Sequence, residues 1–310
     1  MAQIGLGMAA LGRPEYINIR MHPVADTSVD AFKQNSFDVL DTAYASGVRF
    51  FDTAPSYGKG ESFLKEWHSL RNHHDAVLST KWGYTYVAGW NLGYNGAHEI
   101  KEHSLNKLLE QWEFSKSLLP NLKVYQIHSA TFESGVLKNE AVLEALFQLK
   151  HITGVKIGLT VSGVSQRAIL ETAFSIQKEG ELLFDSYQLT FNIFEQSVAA
   201  IVTEIKTAGK FVIVKEGLAN GRVFLSNPAS ELLGFLANKY NVGIDAIALR
   251  YCMDVIEPDI VLSGAFSKEQ LLQNLKANEF SLTLDEVAGL SKYAMSEKKY
   301  WSQRTDLHWH

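Results

Sequence analysis

The chain has 310 residues, 46% hydrophobic and 20% charged, with a formal net charge of -5. That balance is ordinary for a soluble globular protein, and the acidic surplus excludes the basic footprint of a nucleic-acid binder. No run of about 18 apolar residues is present to form a membrane span. The single cysteine, Cys252, cannot close an internal disulfide, and residues 1–16 lack a basic start followed by an apolar block. The expectation is a cytoplasmic protein, monomer or small homo-oligomer, with neither nucleic acid nor membrane as partner.

Residues 4–10 read as a short apolar strand. Within it Gly5-Leu6-Gly7-Met8-Ala9-Ala10 formally matches G-x-G-x-x-G/A. That fingerprint works only where a helix starts on the glycines, and here Gly12 and Pro14 follow at once. The dinucleotide-fold reading therefore fails, and the glycines suit a backbone passing close to something flat. Phe37, Leu40, Ala43 and Tyr44 have helical spacing up to Gly47, and 48–52 is a strand. Residues 61–70 form a helix and 76–81 a strand ending on Lys81. Leu105, Leu108, Leu109 and Trp112 share one helix face before the strand 122–127, which runs into His128. Helices around 142–149, 169–173 and 198–205 precede strands at 155–161, 184–189 and 211–214, and a helix over 246–251 precedes 260–262. The strands are nearly continuous apolar runs, as burial on both faces requires. Eight alternations without a dividing linker predict a single α/β domain over 1–310, a closed (β/α)8 TIM barrel.

Chemistry in such a barrel gathers at the C-terminal ends of its strands. Three successive strands end in titratable residues: Asp52, with Tyr57 in its loop, then Lys81 and His128. The bland reading is that Asp52 caps the next helix and Tyr57 is core. The sharper one groups all four around one mouth: Asp52 neutralises Lys81, the ammonium lowers the Tyr57 phenol toward a usable acid and base, and a neutral His128 orients a carbonyl.

Phe51-Asp52-Thr53-Ala54 with Tyr57-Gly58, Ser79-Thr80-Lys81, Gln126-Ile127-His128, Ile157 to Ser162, Gln188 with Asn192, and Ser263-Gly264-Ala265 leading to Gln270 and Asn274 form an ordered set. Over nearly its whole length the chain resembles the aldo-keto reductases. The resemblance implies a (β/α)8 barrel that interconverts a carbonyl (aldehyde, ketone or sugar) and its alcohol by nicotinamide hydride transfer. It implies a catalytic tetrad of Asp52, Tyr57, Lys81 and His128, with Tyr57 passing the proton. It implies that Ser162 and Gln188 hold the nicotinamide carboxamide and that Ser263, Gly264, Ala265, Ser267, Lys268, Gln270 and Asn274 hold the adenosine phosphate end; Gly7, Met8, Asp52, Lys215 and Leu218 complete the implied cofactor set. NADP(H) is implied ahead of NAD(H), although the family's phosphate-gripping basic positions fall on Gly264 and Gln270, leaving Lys268 to substitute.

Two further departures stand out. Gly163 replaces an asparagine of the family, and Lys215 occupies a position where an aromatic stacks on nicotinamide. A cation there should disfavour the positively charged oxidised ring, unless Glu216 neutralises it. For the substrate, Trp82, Tyr84 and Trp90 are the expected contacts, with Tyr94 and the tail aromatics Tyr300, Trp301 and Trp309 as further candidate walls; the set has a faint likeness to the sugar-oxidising branch. No metal is expected: His98 and His103 nearly spell H-E-x-x-H, but the second histidine is one residue late. The alternatives are a Schiff-base aldolase using Lys81 and a cofactor-binding regulatory subunit without turnover.

Overall fold

A computed structural model describes residues 2–16, 19 and 24–307; Trp309 lies outside these. Eight parallel strands close a barrel: β1 (Gln3–Gly7), β2 (Phe50–Asp52), β3 (Val77–Trp82), β4 (Leu122–Ile127), β5 (Lys156–Thr160), β6 (Ser186–Thr190), β7 (Phe211–Lys215) and β8 (Ile260–Ser263), with β8 pairing back onto β1. Every expected strand is present with its ends moved by a few residues. The largest shift is at β1, which stops at Gly7 rather than running on to Ala10.

Strand pleating explains what fills the interior. Residues two apart point to the same face, so each strand contributes an inward column. Low in the barrel these columns supply Phe50, Val124, Ile213, Ile260 and Leu262, which pack as a separate apolar cluster. One step toward the C-terminal ends the same columns turn polar, with Asp52 above Phe50, Gln126 above Val124 and Lys215 above Ile213. The register puts these side chains level with one another: Asp52 pairs with Ser79, Lys81 with Gln126, and Thr190 with Lys215. A polar mouth therefore sits on an apolar floor.

Outward residues meet the helices and form the main core. The helices are α1 (Val29–Ala45), α2 (Gly60–Arg71), α3 (Leu105–Ser115), α4 (Glu140–Thr153), α5 (Gln166–Phe174), α6 (Ala199–Thr207), α7 (Ser230–Tyr240), α8 (Ile244–Ile256), α9 (Lys268–Leu275), α10 (Leu284–Ser291) and α11 (Glu297–Thr305). Side-chain caps start several of them: Ser28 on α1, Ser104 on α3, Asn139 on α4 and Ser267 on α9. Above β3 a short hairpin pairs Tyr84–Tyr86 with Glu99–Lys101. Among the described residues no helix is long and apolar enough to cross a membrane.

Candidate active site

Asp52 does not cap the following helix. It is 2% exposed and its Oδ2 lies 2.5 Å from Lys81 Nζ, while Oδ1 accepts from Ser79 Oγ at 2.9 Å and Gln188 Nε2 at 3.1 Å. Lys81 is itself fully buried and donates also to the Thr53 carbonyl at 2.9 Å. Both charges are thus desolvated and satisfied, and removing one partner alone would cost about 3–5 kcal/mol.

Tyr57 reaches this pair through its loop. Lys81 Nζ stands 4.7 Å from the centre of its ring, and the Arg13 guanidinium stands 5.6 Å from it. Two glycines set the loop's depth: a Cβ on Gly12 would stand 2.1 Å from the Tyr57 carbonyl oxygen, and one on Gly58 would stand 2.4 Å from that of Gly12. Lys59 N–H donates to the Gly12 carbonyl at 2.7 Å across this contact. This contact is between two backbone segments and involves Gly12 rather than the glycines of the 4–10 stretch, of which Gly7 lies against the Ser263 carbonyl and Leu262. Gly5 packs on the Ile260 and Phe50 side chains inside the barrel.

The phenol departs from the sequence expectation. Burial pushes the Tyr57 pKa well above its ordinary value, and the nearby carboxylates of Asp52 and Glu99 push the same way. The cation meant to lower it is ion-paired with Asp52. Without other ligands Tyr57 is a fully protonated acid. His128 follows expectation: burial first, then the charges of Lys81 and Arg13, hold it well below the usual histidine range and therefore neutral. Its ring lies edge-on to Tyr57 at 5.6 Å, its Nδ1 is 3.2 Å from Ser56 Oγ, and its carbonyl accepts from His103 Nε2 at 2.9 Å. Ser56 and His103 as supports of His128, Ser79 as a support of Asp52, and Arg13 were not singled out from the sequence. They come from loops and neighbouring strands whose convergence no local pattern announces.

A cavity of about 500 Å³ opens from this cluster. At one end its wall includes Asp52, Tyr57, Gln188 and Lys215; Gly7 and Leu218 also border it, and Ser263, Gly264, Ala265, Gln270 and Asn274 lie toward the β8 side. Most of the cofactor set read from the sequence is thus brought together. Met8, Ser162, Ser267 and Lys268 are not in the wall. Met8 is core, Ser267 caps α9 by accepting from Gln270 N–H at 3.3 Å, and Lys268 is exposed. Ser162 Oγ accepts from Lys215 Nζ at 2.8 Å.

The wall suits a nicotinamide dinucleotide. Gln188 spends its Nε2 on Asp52, which leaves its buried Oε1 without a partner among the described residues, an acceptor ready for a carboxamide N–H. At the other end Asn274 accepts from Ser263 Oγ at 2.7 Å and donates to Asp245 Oδ2 at 2.6 Å, so those polar groups are prearranged.

The substrate candidates separate. Tyr84 lies 4.8 Å from the His128 ring and borders a second, open cavity of about 570 Å³ that also includes Glu15, Tyr94, His98 and Glu99. Trp82 has no exposed surface and packs on His103, and Trp90 is tied down by Nε1 to the Thr27 carbonyl at 2.7 Å and by its edge to Phe32. Tyr300 and Trp301 are buried in the core rather than walling a pocket. His98 precedes the Glu99–Lys101 strand instead of lying on a helix, and among the described residues no cluster of three His, Cys, Asp or Glu is arranged to hold a metal.

Comparison with known proteins bears on the fold and the family. The chain is 22% identical over 289 residues to the aryl-alcohol dehydrogenase GME11368 of Pestalotiopsis microspora, covering 84% of this chain and 72% of that one. Among solved structures, the holo form of aldo-keto reductase AKR11C1 from Bacillus halodurans superposes with a TM-score of 0.69 at 20% identity, over 94% of this chain and 92% of that chain. A mutant of Gox0644 in complex with NADPH gives 0.64 at 22% identity, over 94% and 89%. The model of the Aldo/keto reductase family matches residues 3–294, and the chain belongs to that family.

Proposed function

We propose that this protein reduces a carbonyl to its alcohol, and runs the reverse oxidation, with Tyr57 as the proton-transferring group. A bound nicotinamide dinucleotide supplies or takes the hydride. One observation carries the reading: a protonated, buried phenol packs against a neutral imidazole and a buried lysine–carboxylate pair, and the phenol and the carboxylate border a cavity with a carboxamide acceptor in its wall. In the tautomer this reaction uses, Ser56 Oγ donates to His128 Nδ1, 3.2 Å away, so that the ring proton is on Nε2 and can be donated to a carbonyl oxygen. Tyr57 gives its proton to that oxygen as it becomes an alkoxide. Lys81 stabilises the phenolate left behind, and Asp52 holds the ammonium in place. General acid catalysis of this kind contributes about 10²–10⁴-fold.

An aromatic aldehyde is the favoured substrate class, ahead of a sugar. Tyr84 presents a ring beside His128, and the relative from Pestalotiopsis is named an aryl-alcohol dehydrogenase. NADP(H) and NAD(H) are both carried forward as cofactors, the former because a structural relative is described with NADPH. A Schiff base on Lys81 is disfavoured, since its nitrogen is enclosed and donates to both Asp52 and the Thr53 carbonyl. A screen of aromatic aldehydes, ketones and aldoses, followed on nicotinamide absorbance, tests the proposal. Tyr57→Phe should lower turnover by at least about a hundredfold while cofactor binding persists. Full turnover in that variant rules Tyr57 out, and firm cofactor binding without turnover on any substrate favours the regulatory reading.

A further inference from the structure

Lys215 stands at the end of β7 in the same cavity wall as Asp52, Tyr57 and Gln188, a cation in a place where the proposed mechanism asks nothing of it. Its Nζ donates to Ser162 Oγ and Thr190 Oγ1, both at 2.8 Å, and both partners are neutral hydroxyls. The nearest carboxylate oxygen belongs to Glu216, 3.8 Å away, but both oxygens of that carboxylate accept from the Arg304 guanidinium, Nε at 3.1 Å and Nη2 at 2.6 Å.

Formal charge around this end of the cavity then sums simply. Asp52 on β2 cancels Lys81 on β3, Glu216 cancels Arg304 on α11, and Arg13 pairs with Glu99 at 2.6 Å. His128 is neutral, and burial holds the phenols of Tyr16, Tyr57 and Tyr300 protonated. Among the described residues two positive charges remain after these pairings, on Lys215 and Arg222; Arg222 turns to the Tyr300 ring and to the Ala219 and Tyr300 carbonyls outside the wall, so the one in the cavity wall is Lys215.

We infer that Lys215 biases the cavity toward the reduced cofactor, its ammonium opposing the cationic oxidised nicotinamide ring while leaving the neutral reduced ring unaffected. This rests on the oxidoreductase reading above and extends it to the choice between the two redox forms. In a low-dielectric wall, like charges at a few ångströms repel strongly enough to separate the two affinities by about tenfold or more. Burial also lowers the Lys215 pKa to about 8, with Glu216 opposing the shift and the charges of Arg304 and Lys81 adding to it. Neither Tyr57 nor His128 titrates in that range, so the bias should fade as Lys215 deprotonates. The site is then loaded with the reduced cofactor preferentially near neutrality, and the oxidised form gains on the alkaline side.

Binding alone tests this. Dissociation constants of NAD⁺, NADH, NADP⁺ and NADPH are measured by fluorescence quenching at about pH 6.5 and about pH 9.5, either side of the Lys215 value of about 8. For the wild type, the oxidised-to-reduced ratio should be about tenfold or more at the lower pH and fall several-fold at the higher. Lys215→Met should give a small ratio that does not change with pH, and Lys215→Arg a large one at both. The same ratio and slope in the wild type and Lys215→Met overturns the inference while leaving the oxidoreductase reading intact. Failure of the wild type to bind any of the four overturns both. The pH dependence of the wild type alone decides the matter should Lys215→Met not fold, since a ratio constant across that range also overturns it.

Discussion

At the scale of single residues, Glu61, in the first turn of α2, is a carboxyl that its surroundings hold out of line. It is 4% exposed, and its Oε1 accepts from Thr80 Oγ1 at 2.7 Å and from Ser115 Oγ at 2.9 Å. Burial outweighs those bonds and lifts its pKa from 4.5 to about 7. A folded-state pKa above the unfolded one means that the unfolded chain releases its proton first. The contribution of Glu61 to stability is therefore greatest below about pH 4.5, declines as pH rises to about 7, and stays at its lower level beyond. The full decline is on the order of 3 kcal/mol. Glu61→Gln keeps the accepting oxygen and removes the ionisation, so it should exceed the wild type in urea-unfolding free energy at about pH 8 by about 1–3 kcal/mol and match it near pH 5. A wild type more stable than the variant at the alkaline pH refutes this account. Glu61 also marks a limit of reading residues from sequence. Asp52, Lys81 and His128 were legible because an ionisable side chain closing an apolar strand demands an explanation, whereas a glutamate opening a helix looks unremarkable. The direction of the Tyr57 shift was misjudged for a related reason. The pairing of Asp52 with Lys81 is as expected, but how deeply the phenol is enclosed and how near the carboxylates of Asp52 and Glu99 stand to it depend on distances that spacing along the chain does not encode.

At the scale of elements, the barrel strands were legible because two-sided burial writes each one as a short apolar run, and their order forced the closed topology. Helices at the end of the chain were not. In α7 only Leu233 and Leu236 are buried, and in α11 only the adjacent Tyr300 and Trp301, so neither shows a repeating apolar stripe. Loop contacts were less legible still, and the meeting of the Gly12 and Tyr57 loops is the one on which the site depends. An added Cβ on Gly12 would lie 2.1 Å from one backbone atom and 2.6 Å from two others, with no flexible side chain to yield. Gly12→Ala should therefore push the two loops apart, costing about 1–3 kcal/mol of stability. It should also displace Tyr57 enough to reduce kcat by about tenfold or more. Thermal melts and turnover under saturating cofactor check both, and an unchanged kcat would mean that the loop can relax without moving the phenol.

At the scale of the whole molecule, the C-terminal helix belongs to the mouth of the barrel as much as to its exterior. Arg304 reaches from α11 to grip Glu216 just beyond β7, Asn192 bridges the Glu216 carbonyl and the Tyr300 hydroxyl at 3.0 and 2.9 Å, and Arg222 lies 4.2 Å from the centre of the Tyr300 ring. Burial alone would raise the Glu216 pKa, but Arg304 and Lys215 reverse that and hold it down at about 2, against 4.5 ordinarily. A depressed folded-state pKa contributes stability that is present above about pH 4.5 and is lost as pH falls toward 2. Arg304→Gln should leave a buried carboxylate without its main partner and cost about 3–5 kcal/mol at neutral pH. That deficit should shrink in acid, where the carboxylate of the variant takes up a proton. Adding Glu216→Gln to Arg304→Gln should recover much of the loss, because a neutral pair carries no stranded charge. Guanidinium unfolding of both variants across pH decides between this and simple loss of packing: a double variant no more stable than the single one would show that α11 is held by its buried aromatics and that the ion pair is incidental.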